Sequence, residues 1–104
     1  MAVTTANVTT LGTTVYTSSG NSAVTFSTLT NYSASGVTVD VHVVPNGGAA
    51  GNLNLIIANL SITAEDTHQV YAGGEKLLLE NGDTIVVTAS ADNSIASVTS
   101  YTAV

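Results

Sequence analysis

From Val37 to Val43 the chain alternates without a break: Val37, Val39, Val41 and Val43 point one way, and Thr38, Asp40 and His42 point the other. Side chains leave a strand on alternate faces, so a period of two describes a strand with one buried face. Pro45-Asn46-Gly47-Gly48 closes the run. Pro cannot donate to a ladder, and Asn-Gly favours positive φ. A chain committed to this pattern at its centre must bury the valine face against a second layer.

The rest of the sequence repeats that theme. Strands are expected at Thr13–Thr17, Ala23–Tyr32, Leu53–Ile62, Thr67–Tyr71, Leu77–Leu79, Thr84–Ala91 and Ile95–Val104, separated by clusters of Gly, Asn, Ser and Asp. Two of them change parity. Val24 and Phe26 share one phase while Leu29 falls on the other, which predicts a bulge near Ser27-Thr28 or a crossing between sheets. In Leu53–Ile62 the apolar phase moves from Leu53, Leu55 and Ile57 to Ala58, Leu60 and Ile62, again a bulge or a corner. Residues 1–12 are Thr-rich and read as an N-terminal arm or an edge strand. Removing residues 2–12 is expected to weaken assembly and leave the remainder folded. Residues 13–104 form the domain: all-β, a single β-sandwich of about eight strands, jelly-roll or immunoglobulin-like.

Composition narrows function more than it narrows fold. Lys76 is the only basic residue among 104, the net charge is −6, and 8% of residues are charged, against roughly 25% in an ordinary domain. No cationic patch can form, so nucleic acid and anionic membranes are poor partners. There is no Cys, hence no disulfide or thiolate metal site. Met1-Ala2-Val3-Thr4-Thr5 has neither a basic n-region nor an apolar h-region, so synthesis in the cytoplasm is expected. No apolar run approaches the ~18 residues of a membrane span.

Chemistry-bearing residues are few. Asp40 and His42 share a strand face, but a metal needs three or four ligands and no third is marked. His68 follows Glu65-Asp66 and reads as a solvated or interface histidine. Glu75, Glu80 and Asp83 surround Lys76 in turns, with no Trp to hold a sugar, so paired-carboxylate catalysis lacks support. Asp83 is expected to cap the Asn81-Gly82 turn. Glu65, Asp66, Asp92 and Asn93 could supply Ca²⁺ ligands, without the spacing of an EF-hand loop. No Gly-x-Ser-x-Gly elbow and no phosphate loop occurs. The sequons at Asn7, Asn31 and Asn59 are expected by chance in so Asn- and Thr-rich a chain. The residues therefore point to a non-enzymatic protein with no cofactor and no metal.

The stretch Leu77-Leu78-Leu79-Glu80-Asn81-Gly82-Asp83-Thr84-Ile85-Val86-Val87-Thr88-Ala89-Ser90-Ala91, followed by a last strand ending near Ser100-Tyr101-Thr102, resembles small structural proteins of tailed bacteriophages, cyanophages in particular. Thr14-Val15-Tyr16-Thr17, Val37–Pro45, Asn59-Leu60-Ser61-Ile62 and Asp66-Thr67 are similar to that group as well. The resemblance extends over residues 13–104, through motifs that recur in other sandwich domains. It implies a virion component without catalytic residues, made in the host cytoplasm. Its leading form is a capsid cement or decoration protein that contacts the major capsid protein and itself, as a homotrimer by analogy. The alternatives are a neck or tail adaptor or fibre-base module, and a host-surface carbohydrate-binding module. Val3, Val8, Leu11, Tyr16 and Tyr101 are the expected interface residues.

Overall fold

The computed structural model describes residues 2–71 and 77–104. Nine strands occur among them: β1 (Ala2–Val8), β2 (Thr13–Thr17), β3 (Ser22–Asn31), β4 (Val37–Val44), β5 (Leu55–Ile62), β6 (Thr67–Tyr71), β7 (Leu77–Leu79), β8 (Thr84–Ala89) and β9 (Ile95–Ala103). One turn of 3₁₀ helix, Asn52–Asn54, precedes β5. Every pairing is antiparallel, in two sheets of order β1-β9-β3-β6 and β2-β8-β4-β5. β7 lies along the same side of β3 as β6, so together they act as one interrupted strand. Successive strands mostly alternate between sheets, with β1, β3, β6 and β9 facing β2, β4, β5 and β8. This is jelly-roll order, which resolves the choice against an immunoglobulin-like arrangement.

The core lies between the sheets. Val37, Val39 and Val41 of β4 and Ile85, Val87 and Ala89 of β8 supply one wall. Val24, Leu29 and Ile95 supply the other, closed by Val8, Tyr16, Ile62 and Leu79. Small branched side chains fill it, in keeping with a chain that has one Phe and no Trp. The expected alternation of β4 breaks at its end: Val44 is buried, while Val43 is only partly so.

Both parity changes are real, and β3 carries a second slip besides the expected one. Against β9, the register of β3 slips between Val24 and Phe26, so Val24 enters the core and Phe26 turns outward, 36% exposed. Against β6, β3 slips at Ser27/Thr28. In β5 the change falls at Asn59, whose φ is 52°.

Residues 2–8 are the edge strand of the first sheet, in unbroken register with β9 from Ala2↔Tyr101 to Val8↔Ile95. Val8 is wholly buried. Beyond it the chain turns the corner to β2, where the Thr9 carbonyl accepts from the Ala89 N–H at 3.1 Å. Removal of residues 2–12 would therefore open the core, contrary to the expectation that the remainder would stay folded.

Candidate functional site

All four aspartates fasten the main chain. Asp40 Oδ1 accepts from the Asn59 N–H at 2.7 Å, filling the β5 bulge. Asp66 Oδ1 accepts from Thr67 N–H, and Asp92 Oδ1 from Thr10 N–H, each at 2.8 Å. Asp83 caps its turn as expected, with Oδ2 accepting from Glu80 N–H, while its Oδ1 reaches across to Asn46 N–H, both at 2.9 Å. Carboxylates held this way complete turns and bulges whose N–H groups have no ladder partner. Glu75 and Lys76, of the expected acidic cluster, lie outside the described residues. No group of three or more His, Asp or Glu side chains is close enough to hold a metal among the described residues. His42 Nδ1 is buried without a hydrogen-bond partner there, and its strand, β4, lies between β5 and β8.

Buried polar groups are likewise structural. Asn31 is fully buried, and its side chain makes four hydrogen bonds. Nδ2 donates to the carbonyls of Ser35 (2.8 Å) and Ile62 (3.0 Å); Oδ1 accepts from Ser33 N–H (2.9 Å) and Ser33 Oγ–H (2.7 Å). The Asn31 sequon is thereby closed to modification in the folded protein, whereas Asn7 and Asn59 are exposed. At the opposite end Tyr16 OH donates to Ser22 Oγ at 2.8 Å, and Ser22 Oγ meets Ser18 Oγ at 2.6 Å.

Register and burial place Val3, Thr5 and Asn7 of β1 on the outer face of the first sheet, beside Ser100, Val98 and Ala96 of β9. Phe26, Thr28 and Thr30 of β3 continue the rows, then Gln69 and Thr67 of β6. None of these residues is charged. By contrast, the outer face of the second sheet carries Asp40 and His42. A shallow groove at the rim of the uncharged face is lined by Thr5, Asn7, Tyr32, Ala96 and Val98. Tyr32 is half exposed, and its OH donates to Asn7 Oδ1 at 2.7 Å.

The five expected interface residues divide. Val3 and Leu11 are exposed, 63% and 95%. Val8 and Tyr16 belong to the core and present almost no surface to a partner. Tyr101 is half-buried, its ring 4.5 Å from that of Tyr16. Sequence reasoning missed Phe26 and Tyr32 on the outer face. The Phe26 signal is hidden by the slip after Val24, and the Tyr32 signal by its place just past a strand end. Compared with protein-family models, curated proteins and solved structures, the chain matches none.

Proposed function

We propose that this chain is a non-catalytic structural protein that works through contact with other protein. The observation that carries the reading is the outer face of the first sheet, which among the described residues is a surface of hydroxyl, amide and apolar side chains without a charge. Such a face loses little on desolvation, since it holds no ion that must be stripped of water. The employment of every aspartate in main-chain bonds agrees with it, because it leaves no aspartate uncommitted for acid–base work.

In its finer form the proposal is a phage virion protein, and first of all a capsid cement or decoration protein seated on the major capsid protein. The resemblance to small phage structural proteins supports this, and jelly rolls recur in viral capsids. The fold alone assigns no function. A neck or tail adaptor is the nearest alternative. The test is the copy number in purified particles, by quantitative mass spectrometry against the major capsid protein. Near parity supports cement or decoration; a copy number fitting low-order rotational symmetry moves the chain to neck or tail. Absence from the particle ends the virion reading.

A host-surface carbohydrate-binding role has one observation in its favour, the Tyr32 ring held beside an amide- and hydroxyl-lined groove. Aromatic faces of this kind stack on sugars. Binding on a glycan array that Tyr32→Ala abolishes would place this reading first.

A further inference from the structure

Edge strands invite pairing, and folded proteins usually blunt them with bulges, charges, proline or brevity. Three sheet edges of this protein consist wholly of described residues, and two of them are blunted. β2 has five residues and a register slip between Thr14 and Tyr16. β5 carries the Asn59 bulge, whose N–H is taken by Asp40. The third, β1, runs seven residues in unbroken register, with no proline, no glycine and no charge. Among the described residues, its side away from β9 has no strand partner.

We infer that β1 is the seam of a two-fold dimer, in which β1 of a second copy pairs antiparallel with it and joins two β1-β9-β3-β6 sheets into one. The occupant follows from the strand itself. An antiparallel self-pair that keeps side chains on matching faces must have its two-fold axis at a residue. With that axis at Thr5, all of Ala2–Val8 is paired: Thr5 faces Thr5 of the other copy, Val3 faces Asn7, Ala2 faces Val8 and Thr4 faces Ala6. Each chain has a net charge of −6, yet no charged side chain enters the seam. A foreign strand would fit the open main chain equally well, but only a second copy supplies a self-matched register and a permanently available partner. The exposed Val3 then gains cover from its cross-strand neighbour. The inference is independent of the virion reading, since it concerns this edge alone. It gives two-fold symmetry in place of the threefold arrangement suggested by analogy with cement proteins.

Sedimentation equilibrium of the full chain tests it. The expected result is a concentration-dependent dimer. Thr5→Lys should sediment as a monomer with an unchanged circular dichroism spectrum, since it sets two like-charged side chains directly opposite each other, their Cβ atoms about 5 Å apart across the seam. Thr5→Glu should also be monomeric, and an equal mixture of the two should recover the dimer mass. A second measurement fixes the register and serves if Thr5→Lys does not fold. Val3→Cys and Asn7→Cys should cross-link when mixed under oxidising conditions, and neither should do so alone. A wild-type monomer, a trimer mass, a folded Thr5→Lys that remains dimeric, or cross-linking without the predicted pairing would each overturn the inference.

Discussion

The Asp40 carboxylate accepts the N–H of Asn59 at 2.7 Å, and Asn59 holds φ at 52°. One side chain on β4 thus answers the extra residue that bends β5. Left-handed backbone disfavours any side chain with bulk at Cβ, and Asn tolerates it better than most. Asn59→Gly should be neutral or stabilising by up to about 0.5 kcal/mol, and Asn59→Val should cost about 1–2 kcal/mol. Asp40→Ala should cost about 1 kcal/mol, because the bond is charge-assisted but exposed. Urea denaturation midpoints of the three variants check this.

Among the described residues, Gly82 carries the tightest demand on a glycine. Its φ is 85°, and a Cβ there would fall 2.5 Å from Asn46 Cγ. At Gly20 φ is 69°, with nothing within 4 Å of the same added atom. Gly82→Ala should cost roughly 1–2 kcal/mol and Gly20→Ala about 1 kcal/mol, the difference being the Asn46 side chain, which must swing aside. Thermal unfolding of the two proteins side by side would show it.

Asn31→Ala removes two donors and an acceptor from a fully buried site. The carbonyl of Ile62 then lacks its 3.0 Å donor, and Ser33 loses its anchor. The expected loss is roughly 3 kcal/mol, well above the cost of Tyr16→Phe, which removes a single hydroxyl bond and should cost about 1 kcal/mol.

Deleting residues 2–12 should abolish the cooperative unfolding transition or lower its midpoint sharply. Burial of a valine such as Val8 contributes about 1.5–3 kcal/mol, and the whole β1–β9 ladder goes with it. A deletion variant with the wild-type circular dichroism spectrum and midpoint would contradict the placement of β1.

The strands were legible wherever one face is purely apolar. β4 and β8 were readable for that reason, and β5 declared its bulge through its change of phase. The slip after Val24 was not readable, because Thr25 fits either face and Phe26 looks like core. Nor could the Thr-rich start of the chain show which of its apolar residues enters the core. Val8 and Tyr16 were therefore expected at an interface, while their neighbours Val3 and Leu11 are the exposed ones. Strand order was closed to sequence reasoning because it rests on pairings such as β1 with β9, between opposite ends of the chain. The Asp83 cap was visible from its turn, but its reach to Asn46 depends on two loops meeting in space.

The pairing of Ala2 with Tyr101 has a topological consequence. The two ends of the described fold lie side by side, so the order in which the strands are written in the gene is separable from the order in which they pack. A short linker from one end to the other, with a new opening at the exposed Gly47-Gly48 turn, would give a circular permutant with the same two sheets. The same geometry would let the whole sandwich be spliced into a surface loop of a host protein, entering and leaving through neighbouring points.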